Sequence, residues 1–166
     1  MAKYYKVVAE NRKARFDYTI LEVYKAGLVL TGNEVKSLRL GRVNLQDSFG
    51  RIEQEEVWLY GMHISPYLPA GRHGTTADKR KLEPLRPRKA LLNKRELLKL
   101  VGKVSEKGLT VIPLKVYFEG NWAKVDLALA KAKKKYEKRE ELKIRAVKKE
   151  IETAFKEEIY DRKNKE

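Results

Sequence analysis

The sequence predicts a mainly β fold with flanking α-helices, in which a small, partly open barrel occupies residues 1–130 and a basic tail occupies residues 131–166. Three observations carry this prediction. Five or more short segments with a strand-like pattern are separated by turn residues, two segments have helical spacing, and the regular strand–helix alternation of a parallel sheet is missing. With 166 residues, the chain is long enough to bury one core of its own.

The first half of the chain is predicted to form strands around one short helix. Residues 18–30 alternate loosely and break at Gly27, which predicts a pair of strands. Residues 32–41 place apolar side chains at helical spacing and end on a glycine, so they predict a two-turn helix. Residues 48–53 and 57–64 flank an acidic turn and predict a hairpin.

A long loop and a second helix follow. Residues 65–90 hold four of the five prolines and no apolar periodicity, which predicts a long surface loop that is either functional or mobile. Asn93 stands where an N-cap is expected, and Glu96 three residues later completes the pattern of a capping box. Apolar residues at helical spacing continue to Gly108, which is expected to end the helix.

A second hairpin is expected on either side of Gly120-Asn121, with strands at 109–119 and 122–130. Pro113 falls inside the first of these strands, so it is expected at an edge or a bulge, because proline cannot donate a hydrogen bond to a neighbouring strand. The two tryptophans, Trp58 and Trp122, are expected in the core.

The charge of the chain indicates a polyanionic partner. The formal net charge is +15 and the pI is about 9.8, which favours nucleic acid first and an anionic membrane surface second. The excess is concentrated in two clusters, residues 79–107 with a net charge of +8 and residues 131–139 with six bases and one acid. Both clusters are imbalanced in sign, which distinguishes them from an ordinary solvated face.

Several classes of chemistry are excluded or not expected. The chain has no cysteine and only two histidines, which excludes disulfides and thiolate nucleophiles and leaves little for a metal site, so neither a metal nor a cofactor is expected. The start of the chain lacks the apolar run of a signal peptide, and no segment nears membrane-spanning length, so we expect a cytoplasmic protein without a membrane partner. No phosphate loop, nucleophile elbow or zinc-protease motif is present, and we expect no catalytic activity.

The pattern of basic and aromatic residues favours RNA binding, since aromatic rings stack on unpaired bases while lysine and arginine hold phosphates. The candidates read from this pattern are Arg12, Lys13, Arg15, Tyr18, His63, Tyr67, Arg86, Arg88 and Lys89. Some have alternatives that stay open at this point. Tyr18 is equally well explained as a core aromatic, His63 as a buried histidine bonded to backbone, and Asn93 as a helix cap.

The tail cannot anchor a core. Its basic cluster has one aromatic ring, Tyr136, among six cations, which are Lys131, Lys133, Lys134, Lys135, Lys138 and Arg139. Further along, Ile144, Val147, Ile151 and Phe155 recur at three- and four-residue steps and form one helical stripe. Either this stripe packs on the barrel, or the helix forms only when the tail is bound.

Longer motifs resemble a known family. Residues 32–39, followed by Asn44-Leu45 and Asp47-Ser48-Phe49, are similar to the signature of the bacterial small protein B family, the partners of transfer-messenger RNA (tmRNA) in trans-translation. The resemblance continues through residues 63–67, 86–92 and 108–118 and through the lysine-rich run at 130–139. It covers roughly residues 8 to 155 with the motifs in the same order.

The resemblance implies an oligonucleotide-binding-fold barrel and a tail that becomes helical when bound. It implies binding to the tRNA-like domain of tmRNA and its delivery to the A site of stalled ribosomes. The implied partners are tmRNA, the 16S rRNA decoding centre and messenger channel of the stalled ribosome, and, through the RNA, elongation factor Tu and alanyl-tRNA synthetase. By matched position, the RNA-contacting surface contains Asn11, Lys13, Arg15, Tyr18, Leu91 and Asn93, and Lys36 and Arg39 of the signature helix join it. The resemblance also implies ribosome binding from the tail residues Lys131, Lys133, Lys134, Lys135, Tyr136, Lys138 and Arg139.

Two other functions remain open from the residues alone. One is a ribosomal-protein-like component that binds rRNA permanently. The other is an RNA-processing enzyme that uses His63 with a nearby carboxylate.

Overall fold

The computed structural model describes residues 5–67, 83–105 and 108–163. The chain divides into two compact units, Met1–Ala132 and Lys133–Glu166. The described elements of the first unit, in chain order, are β1 (Tyr5–Glu10), α1 (Arg12–Asp17), β2 (Tyr18–Leu28), α2 (Gly32–Arg39), β3 (Val43–Asn44), β4 (Phe49–Glu53), β5 (Glu56–Tyr60), β6 (His63–Ile64), β7 (Arg88–Leu91), α3 (Lys94–Val104), β8 (Leu109–Glu119) and β9 (Trp122–Ala132). The second unit contains α4 (Lys135–Lys163).

Six antiparallel strands close into a barrel. The large sheet has the order β1-β8-β4-β5-β7-β2-β9, and β9 pairs again with β8, which joins the two ends of the row. Strand β1 lies outside this ring and pairs with β8, while β3 and β6 form a separate two-stranded sheet. The mainly β prediction is confirmed, and the barrel is closed rather than partly open, which removes strand edges that would otherwise template aggregation.

The barrel interior follows from the alternation of side chains along each strand. In β5, Val57 and Leu59 are buried in the core, whereas Trp58 is only half-buried on the outer face. The same core contains Leu127 of β9 and Leu100 of α3, so this helix belongs to the packed unit. A smaller apolar cluster joins α1 to the outer sides of β8 and β9.

Strand β2 is one continuous strand of 11 residues, so the predicted pair of strands at 18–30 is wrong. Gly27 does not break it, because this residue pairs with Lys124 on one side and Leu91 on the other. A Cβ at Gly27 would lie 3.6 Å from the Leu91 Cβ, which is an ordinary contact distance. The tendency of glycine to interrupt a strand is outweighed here by the pairing of Gly27 with both neighbouring strands.

Both predicted hairpins are present. The turn between β4 and β5 carries Gln54 and Glu55 at φ values of 48° and 57°, and Gly120 has φ 61° in the turn between β8 and β9. The register of β8 shifts between Pro113 and Lys115, so the expected bulge at the proline is confirmed. Strand β9 runs past the expected end at residue 130 to Ala132.

Other expectations need correction. Trp122 is 76% exposed, because it lies at the tip of the β8–β9 hairpin rather than inside the barrel. The expected loop at 65–90 contains strand β7 at its end, and residues 68–82 lie outside the described part of the chain. Helix α3 starts after Asn93 as predicted and ends at Val104, four residues before Gly108, but the Asn93 side chain makes no capping hydrogen bond.

Helix α4 extends over 29 residues and presents its apolar stripe to solvent. The exposed fractions of Ile144 and Phe155 are 68% and 64%. The tail is therefore helical in this structure, and folding only on binding stays a prediction.

Candidate nucleic-acid interface

A cavity of about 360 Å³ lies between helix α1 and the start of strand β4. It brings together three of the predicted residues, Asn11, Lys13 and Tyr18. Phe49, Asp17 and Asp47 also line it, and none of these three was among the predicted site residues. Its walls thus combine one cation, two carboxylates and two aromatic rings, and the rings and the cation are groups that bind nucleotides.

Asn11 positions helix α1 beside this cavity. The residue is 8% exposed, and its side-chain oxygen accepts a hydrogen bond of 3.1 Å from the Ala14 amide. Its side-chain nitrogen donates to the Leu45 and Pro113 carbonyls at 3.0 and 3.3 Å. Because both of its polar atoms make hydrogen bonds inside the protein, Asn11 holds α1 in place beside the cavity that it also lines.

The cations that α1 presents are exposed. Arg12, Lys13 and Arg15 all lie at the surface. The Lys13 Nζ atom is 3.4 Å from the Asp47 carboxylate, and the two side chains are 55% and 77% exposed. A pair this open to solvent contributes little to stability, so a phosphate can replace the carboxylate at small cost.

Tyr18 is half-buried and packs against the apolar cluster that contains Ala14 and Ile112. Part of its ring therefore stabilises the protein, and part of it lines the cavity. The sequence offered Tyr18 as a core aromatic or as a ring that stacks on a base, and the position of the ring is compatible with both.

Arg88 is a correction to the predicted site. Its side chain is 0% exposed, so it cannot reach RNA at the surface. Its Nε atom donates to Glu34 at 2.8 Å, and its terminal nitrogens donate to the carbonyls of Met62, Arg86 and Pro84. A run of basic residues in the sequence does not reveal that one of them has a buried carboxylate partner.

Glu34 is the centre of this buried network. Its carboxylate also accepts hydrogen bonds from Arg86, with a distance of 2.8 Å from the Arg86 Nε atom, and from the Thr31 amide at 2.8 Å. Burial raises the pKa of Glu34, but the bonds from Arg86 and Thr31 and the charge of Arg88 outweigh it, so the pKa lies below the ordinary value. Arg86 keeps 25% of its side chain exposed and remains only partly available at the surface.

The sequence reasoning missed Glu34, although a signal was present. Thr31-Gly32-Asn33-Glu34 has the spacing of a capping box, and the carboxylate does bind the Thr31 amide. The capping box proposed for α3 does not form in this way, and one Glu96 carboxylate oxygen is buried without a hydrogen-bond partner among the described residues.

The β7 strand and the residues after it form a second exposed region. Lys89 points outward and pairs with Glu56, with both side chains about one-third exposed. Leu91 is 51% exposed, and Asn93 is exposed as well. Since Asn93 does not cap α3 with its side chain, its amide is not committed to that role.

The remaining barrel candidates are distributed over other parts of the surface. Lys36 lies over the Tyr67 ring at 5.4 Å, and Arg39 lies over the Phe118 ring at 5.9 Å. His63 is half-buried in β6, where it pairs with Asn44 of β3. The structure therefore does not gather all predicted residues into one patch.

The basic cluster at 131–139 is divided between the two units. Lys131 lies in strand β9 opposite Thr19 and Leu109, so its assignment to the tail is corrected to the barrel. The other members lie before α4 or in its first turns, and Tyr136 is 57% exposed. The cations concerned are Lys133, Lys134, Lys135, Lys138 and Arg139.

Within the described residues, the helices include none that combines the length and the apolar character needed to cross a bilayer. The same part of the chain contains no group of three or more histidine, aspartate or glutamate side chains arranged to hold a metal ion.

A closed antiparallel barrel with cations and exposed aromatic rings on its outer face defines a protein of the oligonucleotide-binding barrel class. Residues 8–157 match the sequence pattern of the SmpB protein family. The chain belongs to this family, whose members are RNA-binding proteins.

Relatives and a solved structure agree with this assignment. The SsrA-binding protein of Carboxydothermus hydrogenoformans is 58% identical over 151 residues, which cover 91% of this chain and 97% of the relative. That of Sulfurihydrogenibium sp. is 58% identical over 154 residues, covering 93% and 97%. A chain in the structure described as "tmRNA-SmpB: a journey to the center of the bacterial ribosome" is 48% identical, with a TM-score of 0.61 over 78% of this chain and 86% of that one.

Proposed function

We propose that this protein binds the tRNA-like domain of tmRNA and delivers it to the A site of stalled ribosomes in trans-translation. The relatives are named for binding SsrA, and the similar solved structure joins tmRNA, SmpB and the ribosome. The observation in the structure that carries the proposal is the cavity beside α1, where an exposed cation meets the rings of Tyr18 and Phe49.

Each group at this surface has a defined task. The phosphates are bound by the three cations of α1, which are Arg12, Lys13 and Arg15. Asn11 caps this short helix and so keeps the cations in position. Tyr18 offers the part of its ring that faces the cavity to an unpaired base. The exposed pair of Leu91 and Asn93 gives a second contact through apolar packing and an amide.

In this proposal, the second unit binds the ribosome. Its cations and the exposed Tyr136 contact the 16S rRNA of the decoding centre and the messenger channel, which is vacant on a stalled ribosome. Elongation factor Tu and alanyl-tRNA synthetase act on the same RNA and meet the protein only through it. Work at the ribosome places the protein in the cytoplasm.

The test is the identity of the RNA that co-purifies with the full-length protein at moderate salt. The expected result is strong enrichment of tmRNA, together with its loss when Arg12, Lys13 and Arg15 are all changed to alanine. Lys124→Ala is the control, since Lys124 is a partly exposed cation on β9 that lies outside both basic clusters. Retention of the protein on salt-washed ribosomes would instead identify a permanent ribosomal component, and turnover of labelled RNA would identify an enzyme.

A further inference from the structure

The outer face of β4, β5 and β7 carries an ordered array of rings and cations. Phe49 pairs with Tyr60 across the first two strands, and Arg51 pairs with Trp58. Trp58 in turn pairs with Lys89 on β7. Two cross-strand rows therefore lie side by side. The first row contains the rings of Phe49 and Tyr60, and the second contains Arg51, Trp58 and Lys89.

These side chains all point outward, because their neighbours in the chain fill the interior. Val57 and Leu59 of β5 are buried in the core, and Ile52 of β4 packs against it. At Gly50 a Cβ would lie 2.8 Å from a methyl group of Val111, so this inner position is already full. The strand period of two then assigns the alternate residues to the outside.

The ring pair of Phe49 and Tyr60 leaves part of its aromatic surface exposed to solvent. The Phe49 and Tyr60 ring centroids are 5.7 Å apart with an angle of 17° between the planes, and the Arg51 guanidinium is 5.9 Å from the Tyr60 ring. Phe49 is nevertheless 44% exposed. The Arg51 side chain is 65% exposed and lies 3.6 Å from the Glu53 carboxylate, an open pair that a phosphate can replace at small cost. A nearly parallel ring pair with an exposed cation beside it provides a face for a base and a charge for its phosphate.

The array continues from the cavity already described. Phe49 lines that cavity together with Lys13 and Tyr18, and it is also the first ring of the outer row. A strand of RNA that leaves the cavity therefore passes directly over Phe49. The spacing from Phe49 to Arg51 is about 7 Å along the strand, which is room for one or two bases.

Negative charge limits the array at its other end. Glu53 and Glu56 pair directly at the β4–β5 turn, and Tyr60 donates a hydrogen bond of 3.0 Å to Glu53. Two carboxylates repel phosphates. The section of rings and cations thus ends at Glu53, which contacts both Tyr60 and Arg51, and an RNA strand runs from the cavity toward Arg51 but not beyond it.

We propose that Phe49, Tyr60 and Arg51 form a stacking platform for one or two unpaired nucleotides of the RNA that occupies the cavity, namely the tRNA-like domain of tmRNA. This inference rests on the proposed function. The ligand is unpaired because the faces of bases within a duplex are covered by their neighbours, whereas loop nucleotides offer a free π-face. Continuity with the cavity assigns the platform to the same RNA rather than to rRNA.

The first experiment measures the affinity of the full-length protein for a transcript of the tRNA-like domain. Phe49→Ala and Tyr60→Ala are each expected to weaken binding about 5- to 150-fold, the range of a lost base–ring stack. Tyr60→Phe keeps the ring and is expected to bind within about 2-fold of the unchanged protein. Trp122→Ala removes an exposed ring at a distant turn and serves as the matched control, with unchanged binding.

A second probe reads stacking directly. A single-stranded RNA octamer carrying 2-aminopurine loses fluorescence when its base stacks on a protein ring. The unchanged protein is expected to quench this signal and Phe49→Leu is expected not to, while both bind a blunt RNA duplex of the same length equally. The leucine variant keeps apolar volume at the site, so it reports on the ring even where alanine lowers the melting temperature.

The outcomes separate the platform from the proposed function. Absence of transcript binding by the unchanged protein overturns the proposed function itself. Normal binding by folded Phe49→Leu and Tyr60→Ala variants overturns the platform alone. Variants that bind the transcript normally but lose ribosome binding also overturn it, because the occupant would then be ribosomal RNA.

Discussion

Removing the buried carboxylate of Glu34 should destabilise the protein more than any exposed ion pair does. In Glu34→Ala, the guanidinium of Arg88 keeps three carbonyl acceptors but loses its only charged hydrogen-bond partner among the described residues, in a position with no exposed surface. Breaking a buried pair in this way costs about 3–5 kcal/mol. A domain of this kind has a total unfolding free energy of about 5–15 kcal/mol, so the loss is a large fraction of it.

The assay is urea unfolding of the full-length protein, followed by circular dichroism at neutral pH. Lys103→Ala is the matched control, because Lys103 and Glu22 form a pair whose side chains are 40% and 43% exposed. Its expected cost is below about 1 kcal/mol. The reasoning is refuted if Glu34→Ala costs no more free energy of unfolding than this control.

The same carboxylate predicts a dependence of stability on pH. The pKa of Glu34 in the folded protein lies below its ordinary value of 4.5, so the ionised form stabilises the fold above that value. This contribution is lost as the pH falls through the lower, folded-state pKa. Glu34→Gln lacks the titrating group, so the difference in unfolding free energy between it and the unchanged protein should shrink in acid.

Four further predictions follow from other parts of the structure. The affinity for the tRNA-like domain should fall with salt, with a log–log slope of at least about −3 to −5, and a flat titration would exclude the basic surface as the binding site. Gly50→Ala should cost about 1–3 kcal/mol in urea unfolding, because its Cβ would meet Val111 at 2.8 Å, whereas Gly102→Ala, with open space around it inside a helix, should gain about 0.5–1 kcal/mol. Asn93→Ala should change stability by less than about 0.5 kcal/mol, since the side chain makes no cap, and a loss of about 1 kcal/mol would show that it does. A chain ending at Ala132 should keep its melting temperature and its binding to tmRNA but fail in a reconstituted peptide-tagging assay, and normal tagging would contradict the division of labour between the units.

Local patterns predicted the parts of the fold that local interactions form. Both hairpins were predictable because turn residues and alternating side chains lie within about 20 residues of one another. The start of α3 at Asn93 was also predictable. Strand β7 was not, because residues 88–91 resemble a basic loop and become a strand only through pairing with β5 and β2.

The site was less predictable than the fold. A sequence shows that Arg88 and Lys89 are adjacent cations, but not that one is buried against Glu34 and the other is exposed. The stacking array was missed for a similar reason, since Phe49 and Tyr60 meet only through the register of the hairpin. Trp58 was expected in the core because its size suggests burial, while the strand period places it outside.

The way the barrel closes has a consequence for how the chain is made. Strand β9 supplies the partner of both β2 and β8, and its pairing with Tyr18 comes from Ala132, more than 100 residues later. Pairings this distant in sequence make folding slow, and the ring cannot be completed until β9 has been synthesised. A nascent chain released earlier keeps unpaired strand edges that promote aggregation. The barrel is therefore acquired only after Ala132 has been translated, and products that end before β9 cannot form it.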